Sequence, residues 1–143
     1  MKRTFTLDEA IQVARRAHEG QLDKSGRPYI AHPLRVMGAM RGEHERMAAV
    51  LHDVVEDTTV TLDDLTEAGC PAEVLAAVAA VSKQPGEEQA AYLARVAANP
   101  MALAVKRADI ADNMSPDRLA RLDAETQERL RTKYESALRQ LGD

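Results

Sequence analysis

Helix starts and stops punctuate the whole chain, and no stretch alternates with the two-residue period of a half-buried strand. Thr6-Leu7-Asp8-Glu9 has the form of a capping box. Apolar Ala10, Val13, Ala14 and Ala17 then share a face and Gly20 supplies a stop, which predicts a helix over residues 7 to 19. A polar loop with Gly26 and Pro28 fills residues 21 to 29, and a second apolar pattern runs from Ile30 to about Met40. Met47, Val50, Leu51 and Val54 mark a third helix, starting at Glu43 or His44 and ending near Asp57 and Thr58. Thr61-Leu62-Asp63-Asp64 opens a short helix closed by Gly69, and Pro71 opens the next. Gln84-Pro85-Gly86 is a turn, followed by a helix to about Ala98. Asn99-Pro100 reads as the start of a helix ending near Asn113, and Ser115-Pro116 as a restart. The last helix, about 124 to 140, carries Leu130, Tyr134, Ala137, Leu138 and Leu141 as a core-facing stripe, its charged residues, Lys133 among them, reading as a solvated face. With one Phe, three Tyr and no Trp, the core must be aliphatic, which favours close-packed helices. The expectation is a single all-α domain over residues 1–143, a compact bundle of about eight helices.

Several functional classes drop out on composition. The lone Cys70 can form neither an internal disulfide nor a thiolate zinc cluster, and it suits a reducing, cytoplasmic setting. The longest apolar run, Leu75 to Val81, is far too short to span a bilayer, so no membrane partner is expected. A net charge of −4 offers no basic field for a nucleic-acid polymer, so any phosphate site must be local.

The third predicted helix contains Leu51-His52-Asp53-Val54-Val55-Glu56-Asp57, with four polar groups set among apolar ones. Neighbouring helical residues lie about 100° apart, so an ion between the directions of His52 and Asp53 can take an imidazole nitrogen and a carboxylate oxygen together. If the helix continues, Glu56 and Asp57 stack one turn beyond them, a second acidic pair able to handle protons. Asp109 and Asn113 lie one turn apart near the end of another helix, and His32 directly precedes Pro33. His32, His52, Asp53 and Asp109 form a nitrogen and oxygen set without thiolate, which suits manganese, iron or zinc better than copper(I) or calcium.

Four ordered blocks give the chain a family resemblance over about residues 5 to 118. They are Ala17-His18-Glu19-Gly20-Gln21, Lys24-Ser25-Gly26-Arg27-Pro28-Tyr29-Ile30-Ala31-His32-Pro33, Leu51-His52-Asp53-Val54-Val55-Glu56-Asp57-Thr58, and Val105-Lys106 to Asn113. In these the chain resembles the HD-superfamily phosphohydrolases, and within them the hydrolase domain of the RelA/SpoT alarmone enzymes and the stand-alone small alarmone hydrolases. The resemblance implies the stand-alone hydrolase form, without alarmone synthesis. The implied reaction removes the 3′-pyrophosphate of guanosine tetra- or pentaphosphate, giving GDP or GTP and pyrophosphate, with one Mn²⁺.

By the same resemblance His32, His52, Asp53 and Asp109 are the metal ligands, and Glu56 and Asp57 the catalytic pair that orients or deprotonates water. Asn113 matches a residue beside metal and ribose. Lys24 and Ser25 match the loop that lines the nucleotide, and Tyr29 continues that wall; Lys83, Arg95 and Lys106 are further phosphate partners. His18, Arg15, Arg16 and Arg35 read as structural or solvated. Asp23 stands where these enzymes carry an arginine that stacks on guanine, and Arg107 and Asp112 also depart from the pattern. These departures bring another nucleotide into view, an adenosine alarmone or NADPH with its 2′-phosphate. The rival of a different class is a helical module that senses a nucleotide without turning it over.

Overall fold

The computed structural model describes residues 4–142 and is all-helical apart from one isolated bridge in a loop. Ten helical segments follow in order: α1 Leu7–Ala17, α2 Ala31–Gly38, α3 Glu43–Leu51, α4 Val54–Asp57, α5 Leu62–Glu67, α6 Ala72–Val81, α7 Gln89–Ala97, α8 Pro100–Asn113, α9 Pro116–Leu119 and α10 Ala124–Gln140. The count exceeds the expected eight for two local reasons. The predicted third helix divides after Leu51, and Ser115-Pro116 starts a separate turn, α9.

The starts lie where side chains supply the missing acceptors. Thr6 caps Glu9, Thr61 and Asp64 form a reciprocal capping box, and Asn99 caps Ala102 ahead of Pro100. Pro71 sits one position earlier than expected, as the N-cap itself. Gly20 and Gly26 adopt φ of 81° and 83°, conformations that other residues rarely take, and they bracket the loop between α1 and α2. Asp23 organises that loop: its Oδ1 accepts from the Ser25 N–H at 2.9 Å, the Ser25 hydroxyl at 2.9 Å and the Arg27 N–H at 3.0 Å.

Helix α3 is the central element. Met47, Ala48, Ala49, Val50 and Leu51 are all buried, because α1, α2, α6 and α8 pack around it. Alanines at 10, 14, 48, 49, 77 and 102 let these helices approach closely, and Val, Leu and Met fill the spaces between them. Phe5 and Tyr92 are the aromatics of this otherwise aliphatic core. Each fully buried Leu or Val stabilises the fold by roughly 1.5–3 kcal/mol. Packing of α3 against α2 and α8, with His52 just past its end within 3.2 Å of Asp109 on α8, sets the geometry of the polar cluster.

Candidate metal centre and substrate cavities

The break after Leu51 is the first thing the site requires. The Ala49 carbonyl accepts both the backbone N–H of His52, at 3.3 Å, and the ring Nδ1–H, at 2.6 Å. This double use tightens the turn, and the chain resumes as α4 with the Asp57 N–H on the Asp53 carbonyl at 2.9 Å. With Nδ1 committed to the backbone, His52 presents Nε2 inward, 3.1 Å from Asp53 Oδ2 and 3.2 Å from Asp109 Oδ1.

His32, in the first turn of α2, is arranged the same way from the opposite side. Its Nδ1 lies 2.6 Å from Asp112 Oδ2 and its Nε2 2.7 Å from Asp109 Oδ1. His32, His52, Asp53 and Asp109 therefore bring one ligand atom each to within 4.8 Å of one another. Both imidazoles direct Nδ1 away from the cluster and Nε2 into it, so once Nε2 gives up its proton each offers a lone pair beside the two carboxylates, a donor set for a cation. The set fits a divalent ion.

Charges around the cluster follow from the same contacts. Burial opposes the imidazolium of His52, but Asp53 and Asp109 outweigh it and hold its pKa well above the ordinary value. His32 is raised too, against burial, by its bonds to Asp109 and Asp112. Burial likewise opposes ionisation of Asp109, yet His52 and His32 keep its carboxyl well below the usual range. Lys106 donates to Asp109 Oδ2 at 3.2 Å and Asn113 to Oδ1 at 3.3 Å. The Tyr29 hydroxyl donates to Asp53 Oδ2, so Tyr29 touches the cluster itself.

Two cavities flank the cluster. One, of about 210 Å³, reaches His52, Asp53 and Asp109 and is walled by Glu56, Lys83 and Lys106. The other, of about 460 Å³, is lined by Lys24, Ser25, Tyr29, Asp57, Asn113 and Arg118 together with Leu122 and Leu130. The acidic pair thus divides, Glu56 to the first cavity and Asp57 to the second. Glu56 Oε1 accepts from the Lys83 N–H at 2.7 Å. Burial, with Asp53 and Glu56 nearby, pushes the Asp57 carboxyl up to about 6. Lys24, Ser25 and Asn113 all reach the larger cavity, although the Ser25 hydroxyl is bonded to Asp23.

Several sequence expectations change here. Arg95 is no phosphate partner: its guanidinium bonds the Ala79, Ala80 and Ser82 carbonyls and Glu87, clamping the end of α6. Arg35 is not simply solvated, because it makes a two-point bond to Asp112. Asp23 is turned to its own loop, with Oδ1 satisfied three times over. His18 is buried rather than solvated, with Nδ1 2.9 Å from Gln21 Oε1, its ring 5.0 Å from that of Tyr29, and Nε2 without a hydrogen-bond partner among the described residues. Sequence reasoning did not anticipate Asp112 as the partner of His32, or Arg118, which donates to Asp112 Oδ2 at 3.0 Å and Asn113 Oδ1 at 2.6 Å. Nor did it anticipate that Lys133 and Tyr134 of α10 line both cavities. The regular spacing of acids and bases on α10 gave no local signal that one lysine faces inward.

The fold and this polar cluster define an HD-type helical domain. Residues 10–132 match the family model described as HD domain, and the chain belongs to that family. Among relatives, it is 49% identical over 65 residues to the bifunctional (p)ppGpp synthase/hydrolase SpoT of Escherichia coli K12, covering 43% of this chain and 9% of that protein. It is 51% identical over 63 residues to a guanosine-3′,5′-bis(diphosphate) 3′-pyrophosphohydrolase of Vibrio cholerae, covering 41% and 9%. With a GTP pyrophosphokinase of Streptomyces coelicolor it shares 48% over 63 residues, covering 41% and 7%. These matches span less than a tenth of each relative. The solved structure of a metazoan SpoT ortholog described as hydrolysing ppGpp superposes with a TM-score of 0.79 at 24% identity, over 99% of this chain and 88% of that one, and shows the same fold.

Proposed function

We propose that this chain is a metal-dependent phosphohydrolase that cuts the 3′-pyrophosphate from guanosine tetra- or pentaphosphate, releasing pyrophosphate and GDP or GTP. The observation that carries the reading is the convergence of two histidine nitrogens and two carboxylates between a lysine-walled cavity and a larger one with apolar lining. The matched segments of the alarmone hydrolases support the choice of substrate.

His32, His52, Asp53 and Asp109 would hold the ion, with Mn²⁺ proposed because a nitrogen and carboxylate set without thiolate suits it. A divalent ion there supplies Lewis acidity toward a phosphate oxygen and lowers the pKa of water. Lys83 and Lys106 stand where the diphosphate needs counter-charge, while Lys24, Ser25, Tyr29 and Asn113 line the space for the nucleoside. Glu56 and Asp57 are the proposed proton acceptors. Water oxygen bonds to the 3′-phosphorus, the phosphorus–O3′ bond breaks, the water proton passes to a carboxylate, and O3′ leaves protonated.

Incubating the protein with guanosine tetraphosphate, with and without Mn²⁺, and resolving products by anion exchange tests the reading. Metal-dependent GDP and pyrophosphate are expected. Intact substrate in the presence of metal-loaded protein would overturn it.

A further inference from the structure

The two cavities share one stretch of wall, the inner face of α10, where Lys133 and Tyr134 line both. The cavity beside the polar cluster, at about 210 Å³, is smaller than the roughly 300–1,000 Å³ typical of a whole small-molecule site. A nucleotide reacting at the cluster finds the additional room it needs in the second cavity, on the other side of the shared residue Lys133.

Lysine charge gathers around that shared wall. Lys106 is committed to Asp109, and the Lys83 ammonium is bonded to Gln89 Oε1 at 2.9 Å. Lys133 has neither a carboxylate within ion-pair distance nor a hydrogen-bond acceptor among the described residues; its ammonium lies 5.3 Å from the Tyr134 ring centroid. Desolvation lowers its pKa and Lys106, Lys24 and Lys83 lower it further, against the opposite pull of Asp109. Lys83 and Lys106 line the first cavity, Lys24 the second and Lys133 both, so a polyanion spanning the two meets four ammonium groups that would offset its charge.

Building on the proposed phosphohydrolase activity, we infer that Lys133 is a specificity-determining residue that grips substrate phosphate at the junction of the two cavities, selecting nucleotides with phosphate on two arms of one ribose. One arm enters the cavity of Lys83 and Lys106, and the other stays with Lys24. A nucleoside with a single phosphorylated arm leaves one side of this field unmatched.

The test compares wild type, Lys133→Gln and Lys133→Arg, each loaded with Mn²⁺, on guanosine tetraphosphate and on guanosine 3′-diphosphate with a free 5′-hydroxyl. The glutamine variant should raise KM for the tetraphosphate by about tenfold or more, the loss of one charge-assisted hydrogen bond, with kcat within about twofold. It should also narrow the preference for the tetraphosphate over the 5′-hydroxyl compound, and arginine should restore both. An unchanged KM and preference, or a fall in kcat alone, overturns the inference while leaving the hydrolase reading intact. Should wild type turn over neither compound, that reading fails, and calorimetric binding of inorganic pyrophosphate decides the role of Lys133 separately. A loss of about fivefold or more in affinity in the glutamine variant supports the phosphate grip, and equal affinities overturn it.

Discussion

Asp112 holds His32 from 80 positions away, with Oδ2 2.6 Å from the ring Nδ1, while Arg35 and Arg118 bind the same carboxylate. This contact directs His32 Nε2 to Asp109 and keeps the imidazole pointing at the cluster. Burial works against ionisation of Asp112, but His32 and Arg35 hold its pKa far below the usual range, so it is an anion whenever the site works. Asp112→Ala should weaken metal binding by about 10–100-fold while the helical fold persists, since only the orienting partner is lost. Metal titration followed by calorimetry checks this, and unchanged affinity would show that α2 packing alone orients the ring.

The cluster and the acidic pair should separate on mutation. His52→Ala or Asp53→Ala should lose bound metal and turnover together. Glu56→Gln retains an oxygen to accept the Lys83 N–H and should keep the metal while kcat falls by about 10²–10⁴. Metal content and kcat measured on the same preparations distinguish the two classes. Full activity in Glu56→Gln would remove that residue from proton transfer.

Protons and metal compete for the imidazoles. In the metal-free protein the neighbouring carboxylates raise His52 and His32 against the effect of burial, so both hold protons to higher pH than free histidine. Binding a divalent ion should then release about one to two protons near neutrality, and affinity should rise with pH. Calorimetric titration of Mn²⁺ in two buffers of different ionisation enthalpy reads the release directly; identical heats would count against it.

Asp57 gives stability a pH dependence of opposite sign to that of an ion-paired carboxylate. Burial beside Asp53 and Glu56 raises its folded pKa to about 6 from an ordinary 3.8. The folded state therefore binds this proton more tightly than the unfolded chain, and the resulting stabilisation, complete below the unfolded pKa, is lost as pH rises through 6. Asp57→Asn should stabilise the metal-free protein relative to wild type at neutral pH by about 1 kcal/mol, a figure discounted for its partial exposure, and by less near pH 4. Thermal melts of the two proteins at both pH values provide the check, and a difference that does not change with pH would refute it.

Leu51 ends α3 in full burial immediately before His52. Leu51→Ala should cost about 2–5 kcal/mol of stability, measured by urea unfolding, because the surrounding helices cannot close the cavity completely. A loss well under about 1 kcal/mol would mean that this end of the helix repacks freely.

Most of the secondary structure was legible because its signals are local. Thr6, Thr61, Asn99 and Ser115 each cap a helix through a backbone N–H only three residues ahead. The predicted span of the last helix also agrees with α10. The break at His52 was not legible, because helical periodicity continues through it. It arises when the His52 ring takes the Ala49 carbonyl and Asp53 turns toward Tyr29 and His52. The loop-bracing role of Asp23 was not legible either, because residue type alone does not show that three loop donors meet its Oδ1 while the residue also lines the larger cavity.

By itself the sequence determined an aliphatic, helical chain and singled out His32, His52, Asp53 and Asp109 by residue type, spacing and family resemblance. Only the tertiary structure decided that these four converge, that Asp112 and Arg118 brace them, that Glu56 and Asp57 serve different cavities, and that Lys133 joins the two walls. Caps and periodicity act over one to four residues, whereas these relationships depend on how α2, α3, α8 and α10 are brought together by burial of their apolar faces.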